Sequence, residues 1–521
     1  MAHSTNYVPI LSLSSISEIY PPLDVNAQSD RCRALIETFR SVYPNRSPKF
    51  ISRAPGRVNL IGEHIDYAGF GVLPMALSRD ILIAVDVSDD DEDRRVRIAN
   101  VNGEKYKPSS WEFEGKEKIV EIIVEEGVSV WCNYFRCGYK GILQYLGIDN
   151  PKGMYCLVDG TVPSGAGLSS SSAFVCSVAL ATSLANNANL TKKQITEISI
   201  ESERLCGMNT GGMDQTASIF SQKGHALYIQ FLPSLNATPV RLPSIDPPIA
   251  FVIANSLVTA DKVVTAPIHY NLRVIETKLA AYDLGKTLFG KECENLKQVC
   301  DLHSETSEVK VSHLEFLSEF VENHYSEPNK REGHSLDELA ELLNLSKSEI
   351  HAKFLSKFPV RAERFHLYKR SKHVFDEALR VLRFHEICLA SEKSNVGDRE
   401  VKENDVGGQE TFENLGRLMN QSHESCKKLF DCSCDELDKL VRICLDGGAV
   451  GSRLTGAGWG GCTVSLIRED QIEPFIQHVI ANYYKPLFPH LTKKQLNDAI
   501  FATRPGSGAA IIVGLEGAVV Q

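Results

Sequence analysis

A Gly- and Ser-rich segment, VPSGAGLSSSSAF at residues 162–174, lies between a predicted strand and a predicted helix and could bind phosphate. Peptide N–H groups at the start of that helix, and the positive end of its dipole, would face one point. Two glycines would let the backbone fold closely around an anion, and three serines add hydroxyls for phosphate oxygens or a metal ion. These residues are Gly165, Gly167, Ser169, Ser170 and Ser171.

The segment fits neither of two common phosphate-binding patterns. It is not a Walker loop, because no Gly-Lys-Ser/Thr follows, and it lacks the dinucleotide fingerprint, because Ser170 stands where that pattern has glycine. A flexible linker is the alternative interpretation. Linkers, however, seldom join a strand directly to an apolar helix.

A dense group of polar residues in RAPGRVNLIGEHIDY, residues 53–67, has the chemistry of a sugar site. Glu63, His64 and Asp66 bring two carboxylates and an imidazole together. Each sugar hydroxyl both donates and accepts hydrogen bonds, and these side chains suit vicinal hydroxyls. A surface turn with ordinary charges is the alternative. Zinc is a weaker interpretation, because His64 has no second histidine four residues later.

Two glycine-rich segments further along the chain could also line a ligand site. In GGMDQ, residues 211–215, the double glycine precedes either a simple helix cap or an Asp214 side chain presented into a cleft. The segment GSRLTGAGWGGCT, residues 451–463, has too much glycine for a regular packed helix or strand. It is therefore predicted to form a tight loop under a ligand, with a mere hinge as the alternative.

Hydrophobic periodicity and turn signals predict the elements that position these residues. From Lys49 onward, short β-branched runs separated by Gly, Pro and Asp predict a strand-rich first half, and a strand over MYCLVDGTVP leads into the phosphate-binding segment. A further strand is predicted over PPIAFVIANSLV and a last one over GAAIIVG. Helices are predicted over residues 29–42, 173–184, 271–288 and 412–422. This pattern predicts two α+β lobes with a cleft between them.

The middle of the chain, from about 290 to 390, is more charged and mainly helical. Ser335 with Glu338 and Ser346 with Glu349 have the spacing of capping boxes, which predicts a helix start at each serine. Residues 391–410 are polar enough to predict a solvated loop. The segment SLDELAELLNLSKSEIHAKFL loosely has helix-turn-helix spacing, but the acidic balance of the chain favours two ordinary surface helices.

Length and composition bound the class of protein. At about 150 residues per domain, 521 residues predict two to four domains or two enlarged ones. The formal net charge of −10 excludes a global basic field, so we expect neither nucleic acid nor a membrane as partner. The 14 cysteines lack zinc spacing, and the start MAHSTNYVPI lacks a signal-peptide pattern. We therefore expect a cytoplasmic protein with reduced thiols.

Together these segments resemble the three motifs of the GHMP kinases, and those of the galactokinase branch most closely. GRVNLIGEHIDY is similar to the signature of that branch, GLSSSSAF to its ATP loop and LTGAGWGGC to its third motif. The resemblance runs from about Lys49 to the C-terminus and includes GGMDQ, HYNLRV and MNQSHESC. It is strongest to the enlarged fungal enzymes, with N-acetylgalactosamine kinases next, and weakest over 290–410.

The resemblance implies an α+β, two-lobed GHMP kinase fold with nucleotide and sugar in the cleft. The N-terminal lobe, residues 1–235, would be of ribosomal-protein-S5-like type and carry the sugar signature and the ATP loop. The C-terminal lobe, residues 236–505, would be ferredoxin-like with a helical insertion at about 290–410. A final strand in residues 506–521 would return to the N-terminal lobe.

The resemblance also implies which residues meet the sugar. Glu63, His64 and Asp66 would hold its hydroxyls, and Tyr270 in HYNLRV would close the same pocket. Asp214 would lie beside the C1 hydroxyl as a catalytic residue. Arg57, the second catalytic residue, would lie near the same oxygen and the transferring phosphoryl group. Thr210 stands where some fungal relatives have Asn; it is an expected sugar contact, and Asn209 could take its place.

On the nucleotide side, Gly165, Gly167, Ser169, Ser170 and Ser171 would cradle ATP by the same resemblance. Ser171 would also bind Mg²⁺ together with Glu203. Lys262 lies in a segment that lines the nucleotide site in relatives.

The implied activity is transfer of the γ-phosphoryl group of ATP to the C1 hydroxyl of α-D-galactose. A carboxylate with a reference pKa of about 3.9 is too weak to ionise a sugar hydroxyl beforehand. Either the proton leaves late, as the O–P bond forms, or Arg57 stabilises the developing alkoxide while Asp214 mainly orients the hydroxyl. The sequence leaves both routes open.

Two other functions would use the same fold. An N-acetylgalactosamine kinase would share every motif and differ only in the room near C2 of the sugar. A non-catalytic sensor would bind galactose and ATP and then a transcriptional repressor. The intact Ser-rich loop, Arg57 and Asp214 favour an enzyme, and we expect a monomer.

Overall fold

The computed structural model describes residues 6–22, 24–115, 119–122, 131–206, 211–258, 265–304, 308–357, 359–395 and 406–514. Within these ranges the chain forms a seven-stranded sheet, a four-stranded sheet and a two-stranded hairpin. The strands are β1 (Ile10–Ser12), β2 (Phe50–Ile61), β3 (Leu73–Val87), β4 (Arg95–Asn100), β5 (Ser109–Glu112), β6 (Met154–Gly160), β7 (His225–Gln230), β8 (Asn236–Arg241), β9 (Ile249–Asn255), β10 (Gly451–Thr455), β11 (Cys462–Arg468), β12 (Ile500–Thr503) and β13 (Ala510–Val513).

Helices surround these sheets and fill the long connection between β9 and β10. They are α1 (Val25–Val42), α2 (Cys132–Leu146), α3 (Ser170–Ala185), α4 (Lys192–Glu203), α5 (Met213–Phe220), α6 (Tyr270–Phe289), α7 (Leu296–Ser304), α8 (Val311–His324), α9 (Pro328–Arg331), α10 (Leu336–Leu343), α11 (Lys347–Ile350), α12 (Leu367–Asn395), α13 (Val406–Ser425), α14 (Asp435–Asp446), α15 (Ile472–Val479), α16 (Lys485–Leu487) and α17 (Lys493–Ala499). Short 3₁₀ turns cover Leu13–Glu18, Arg204–Cys206 and Glu469–Gln471, and π-helical turns cover His351–Leu355, Cys426–Phe430 and Ile480–Tyr484. In the described part of the chain, no helix combines the length and the apolar character that a membrane crossing requires.

The seven-stranded sheet has the order β1-β13-β2-β3-β6-β4-β5 and is covered on both faces. Because successive side chains of a strand point to opposite faces, β3 divides its apolar residues between two cores. Leu82 and Ala84 pack in the core that includes Phe39 of α1. Ile83 and Val85 pack in the core that α2 and α3 share. The sheet therefore supports α3, the helix that follows the phosphate-binding segment.

Strand β2 brings the sugar signature next to that segment. It is buried along its whole length, and its pairing with β3 shifts register between Pro55 and Arg57. A Cβ atom added at Gly56 would lie 2.7 Å from the carbonyl oxygen of Leu168, so only glycine allows this approach. The N–H of Arg57 donates to the same oxygen. The short β-branched runs predicted just after Lys49 therefore form one continuous strand, Phe50–Ile61.

The four-stranded sheet is antiparallel throughout, with the order β10-β11-β9-β12. Helices α6 to α14 lie in the chain between β9 and β10, and α15 to α17 between β11 and β12. This β-α-β-β-α-β arrangement is ferredoxin-like, as predicted for the C-terminal lobe. Its core includes Val252 of β9, Leu440 of α14 and Phe475 of α15.

The region between β9 and β10 is helical, as predicted, with one correction. Both capping boxes are present: the N–H of Glu338 donates to the Ser335 hydroxyl, and the N–H of Glu349 to the Ser346 hydroxyl. The predicted loop over 391–410 was too long, because α12 continues to Asn395 and α13 begins at Val406. The polar composition of these turns reflects helix ends rather than a loop. Residues 396–405 lie outside the described part.

The prediction of one tight loop over residues 451–463 is wrong for most of this segment. Gly451–Thr455 and the residues from Cys462 onward are strands that pair with each other, and the tight connection is confined to Gly456–Gly461. Gly451 fits a buried strand because a Cβ atom there would lie 2.5 Å from the Cα of Gly416 in α13. Close helix packing, and not a turn, accounts for that glycine.

The last described strand lies in the first sheet. β13 is antiparallel to β2 and parallel to β1. The domain boundaries at 235/236 and 505/506 stay predictions. The first of them falls in the connection between β7 and β8, which pair along their whole lengths.

Candidate active site

Arg57 and Asp214 form the centre of the candidate site. Nε and Nη2 of Arg57 each lie 2.7 Å from Oδ1 of Asp214. Nη1 of the same guanidinium donates to the carbonyl oxygen of Gly167, also at 2.7 Å. One buried cation thus contacts both the acid of GGMDQ and the phosphate-binding loop.

The double glycine of GGMDQ presents Asp214 into a cleft. Gly212 has φ +109° and precedes α5, and Asp214 lies in the first turn of that helix without capping it. Gly211 faces the sugar signature so closely that a Cβ atom there would lie 2.6 Å from the N–H nitrogen of Tyr67. The simple-cap interpretation is therefore wrong: the side chain bonds to Arg57 instead.

Glu63 and His64 are buried at the start of the turn after β2. Nη2 of Arg453 donates to Oε2 of Glu63 at 2.9 Å. Burial raises the pKa of Glu63, while Arg453 and Arg57 oppose that rise. His64 has both ring nitrogens within 3.0 Å of protein oxygens, the Tyr67 hydroxyl at Nδ1 and the Ala457 carbonyl at Nε2. Because a carbonyl only accepts, Nε2 carries the proton.

Asp66 lies beside the start of α5. Its carboxylate accepts hydrogen bonds from the N–H groups of Tyr67 and Met213. Burial first, and the neighbouring Asp214 carboxylate second, raise the pKa of Asp66 to about 6. Burial disfavours the charged form of Asp66, and the negative charge of the partly exposed Asp214 disfavours it further, which explains the direction of this shift.

Tyr270 begins α6 and packs its ring on the rings of His64 and Tyr67, with centroid distances of 5.6 and 5.5 Å. The predicted sugar residues and the connection after β10 line one cavity. Its lining residues are Arg57, Glu63, His64, Asp66, Gly212, Met213, Asp214, Tyr270, Gly456 and Ala457. The structure therefore brings together in one place the residues predicted from separate segments.

The phosphate-binding loop ends at α3, with Ser169 as the residue before the helix. Gly165, Gly167 and Ser169 all have left-handed backbone conformations, with φ of +71°, +74° and +59°. Such a conformation is strained for serine and persists where the surroundings enforce it. The Ser169 hydroxyl is buried and has no hydrogen-bond partner among the described residues. An unsatisfied hydroxyl at a helix N-terminus fits a phosphate oxygen.

Ser171 and Glu203, the predicted metal ligands, lie next to each other. The Glu203 carboxylate is buried, which raises its pKa, and it accepts hydrogen bonds from the hydroxyls of Ser172 and Ser171. Gln215 Nε2 donates to Glu203 Oε2 at 2.6 Å. No group of three His, Cys, Asp or Glu side chains that could bind a metal occurs in the described ranges. One carboxylate with one hydroxyl is nevertheless typical of Mg²⁺, which takes most of its remaining ligands from water and substrate phosphates.

Two predicted contacts cannot be placed. Thr210, with Asn209, and Lys262 lie outside the described residues.

Comparisons with known proteins agree with this arrangement. Three family models match the chain: the galactokinase galactose-binding signature at residues 37–87, the GHMP kinase N-terminal domain at 133–222 and the GHMP kinase C-terminal domain at 408–485. Galactokinase from Dictyostelium discoideum is 40% identical over 96% of this chain and 97% of its own length. Galactokinase from Saccharomyces cerevisiae is 37% identical over 98% of this chain and 99% of its own length. The chain belongs to the galactokinase family.

The family's fold is confirmed by a solved structure. Lactococcus lactis galactokinase, crystallised with galactose, superposes with a TM-score of 0.65 at 22% identity, covering 92% of this chain and 99% of that one. The predicted GHMP kinase fold of the α+β class is therefore correct. The galactose-binding signature of the family covers all of β2 and the three residues Glu63, His64 and Asp66.

Sequence reasoning missed three side chains that hold the sugar signature of this family member. Arg453 was part of the glycine-rich segment but was given no role. Glu377 and His373 lie on α12, far from any recognised motif. For Arg453 the sequence offered one weak signal, a single arginine among the small or apolar residues of GSRLT. For Glu377 and His373 it offered none.

Proposed function

We propose that this protein is a galactokinase, which transfers the γ-phosphoryl group of ATP to the C1 hydroxyl of α-D-galactose. The observation that carries the proposal is the position of Arg57, whose guanidinium contacts both Asp214 in the sugar pocket and Gly167 in the phosphate-binding loop. The C1 hydroxyl of the sugar and the γ-phosphoryl group of ATP would meet next to this guanidinium. Phosphoryl transfer needs that alignment more than it needs covalent chemistry from the protein.

In this proposal, Glu63 and Asp66 accept hydrogen bonds from sugar hydroxyls, and His64 and Tyr270 pack against the ring. Asp214 accepts a hydrogen bond from the C1 hydroxyl and directs its oxygen toward the γ-phosphorus. Of the two routes for the proton, the ion pair with Arg57 favours the second. The Arg57 cation would lie beside the C1 oxygen of the sugar and stabilise the alkoxide as it develops, so Asp214 need not remove the proton early.

The phosphate-binding loop would hold ATP through residues 165–171. The unsatisfied hydroxyl of Ser169 and the left-handed glycines support this assignment. Ser171 and Glu203 would hold Mg²⁺, which when bound neutralises phosphate charge. The Ser171 hydroxyl and the Glu203 carboxylate, which are hydrogen-bonded to each other, would then both face the metal ion. Lys262 and Thr210 stay predicted contacts of nucleotide and sugar.

The test is a coupled ADP-release assay with galactose, N-acetylgalactosamine, mevalonate and homoserine offered separately at equal concentration. We expect ADP release with galactose well above that with the other three. Faster release with N-acetylgalactosamine would instead assign the second sugar kinase. No release with any acceptor, combined with measurable galactose binding, would favour the sensor. A repressor partner, the monomeric state and the cytoplasmic location stay predictions.

A further inference from the structure

A carboxylate from the helical insertion holds the loop that carries the sugar residues, Gly62–Tyr67. Oε1 of Glu377, on α12, accepts hydrogen bonds from the N–H groups of Gly62 at 2.9 Å and Glu63 at 3.2 Å. Glu377 is fully buried. These two N–H groups begin the Gly62–Tyr67 loop, at the point where it leaves β2.

The Glu377 carboxylate is itself fixed on both oxygens. The Ser422 hydroxyl of α13 donates to Oε1 at 2.6 Å, and Nε of Arg380 donates to Oε2 at 2.7 Å. Burial alone would raise the pKa of Glu377, but the charges of Arg380 and Arg453, with the hydrogen bond from Ser422, together lower it to about 2. The acceptor is therefore ionised at neutral pH, and its hydrogen bonds to the loop are charge-assisted.

A second side chain, one turn earlier on α12, holds the carbonyl group of the same residue, Glu63. Nε2 of His373 lies 3.0 Å from the carbonyl oxygen of Glu63, and Nδ1 lies 2.8 Å from the Ser425 hydroxyl. Burial lowers the pKa of His373 to about 4, so the ring is neutral at pH 7. Nε2 must carry the single proton, because the carbonyl cannot donate, and Nδ1 then accepts from Ser425.

The Gly62–Tyr67 loop needs this support because its backbone is strained. Gly62 turns the chain at φ +105°, which glycine adopts readily, but His64 has φ +61°, in the left-handed region that residues with side chains rarely adopt. A strained conformation of this kind persists only when its surroundings over-determine it. The strain sets the direction of Glu63, His64 and Asp66, which all line the cavity.

We propose that Glu377 is a positioning residue for the sugar, acting through the backbone of Gly62 and Glu63. This inference rests on the proposed function, since it assigns a role within that site. The helical insertion would thus determine sugar affinity without touching the sugar. ATP binding, on the other side of Arg57, would not depend on Glu377.

The experiment measures kcat and the KM for galactose and for ATP in the full-length wild type and in Glu377→Gln, with thermal unfolding followed in parallel. The matched control is Asp283→Asn on α6. Asp283 is a buried carboxylate whose Oδ2 accepts hydrogen bonds from the Tyr325 hydroxyl and His324 Nε2. Both changes replace a buried carboxylate by its amide, so both should lower the unfolding temperature.

The expected result is a KM for galactose raised about tenfold or more in Glu377→Gln, with the KM for ATP within about twofold of wild type, and no such split in Asp283→Asn. An equal rise in both KM values, or the same change in both variants, overturns the proposal. Absence of galactose phosphorylation in the wild type would instead contradict the proposed function, so the two failures are distinguishable.

Ser422→Ala decides the question should Glu377→Gln not fold. It removes the donor that fixes Oε1 of Glu377, the oxygen that accepts from both loop N–H groups, and so loosens both loop contacts while keeping the carboxylate. Its control is Ser371→Ala, a buried serine of α12 whose hydroxyl donates to the Leu367 carbonyl of its own helix. A selective rise in the KM for galactose in Ser422→Ala, severalfold above Ser371→Ala, supports the proposal. Equal values in these two variants contradict it.

Discussion

Gly167 of the phosphate-binding loop faces Thr455 at the end of β10 so closely that an added Cβ atom would lie 2.7 Å from the Thr455 carbonyl oxygen. A carbon and an oxygen atom that are not bonded repel each other at this distance, so the loop keeps its position only with glycine there. Two motifs that are nearly 300 residues apart in the chain therefore share one backbone-to-backbone contact.

We expect Gly167→Ala to raise the KM for ATP about tenfold, which corresponds to a loss of about 1.4 kcal/mol of binding free energy. Alanine must both adopt φ +74° and displace Thr455. The control is Gly224→Ala, where φ is +81° and a Cβ atom would meet nothing within 4 Å. Steady-state kinetics with varied ATP compares the two. Equal KM values for ATP in the two variants would contradict the predicted role of the Gly167–Thr455 contact.

Asp214→Ala should abolish turnover and leave galactose binding measurable. The carboxylate is the proposed acceptor for the C1 hydroxyl, while Glu63 and Asp66 would still bind the other hydroxyls. Isothermal titration calorimetry measures binding, and the coupled assay measures turnover. Substantial residual phosphorylation by this variant would contradict the assignment of Asp214.

Arg57→Ala should lower kcat more than it raises the KM for either substrate. The guanidinium would act mainly on charge that develops in the transition state, and loss of such an interaction lowers kcat. Arg57→Lys keeps the positive charge without the second donor to Asp214, so it should retain part of kcat. If Arg57→Ala changes only a KM, Arg57 is a binding residue and takes no part in the transfer.

Galactose affinity should fall as the pH drops from 7 to 5. The pKa of Asp66 in the folded protein is raised to about 6, mainly by burial and then by Asp214, so this carboxyl gains a proton over that range. A protonated carboxyl accepts fewer hydrogen bonds from sugar hydroxyls. Calorimetric titration at a series of pH values measures the dependence.

Asp214→Asn provides the internal check on this pH dependence. Without the second carboxylate the pKa of Asp66 should decrease, so the loss of affinity should begin at a lower pH than in the wild type. Binding can still be followed, because this measurement does not require turnover. Identical pH profiles for both proteins would mean that another group titrates.

Local signals predicted most of the fold. The Gly/Ser segment followed by an apolar run gave the start of α3 within a few residues, and the serine–glutamate spacing gave the starts of α10 and α11. The information was sufficient there because the partners are three to four residues apart. The polar composition of residues 391–410 was misleading, because composition alone does not distinguish the polar end of a long helix from a loop.

Residues of the candidate site could be predicted only where they belong to a recognisable sequence motif. Arg57 and Asp214 each belong to a recognisable segment, but their ion pair spans 157 residues of sequence. Glu377 meets Gly62 across 315 residues and belongs to no motif. A long-range hydrogen bond to the backbone leaves no pattern in the sequence, because the acceptor can contact any residue type at the other end.

The position of β13 between β1 and β2 has a consequence for how the chain is made. Arg53 of β2 also donates to the carbonyl oxygens of Ser507 and Gly508, which lead into β13. On the ribosome, one edge of β2 therefore waits uncovered while several hundred further residues are added, roughly 20 to 90 s at usual rates of synthesis. An open strand edge invites pairing with other nascent chains. The topology therefore favours protection of this strand edge during translation, because its partner β13 is the last of the described strands to be synthesised.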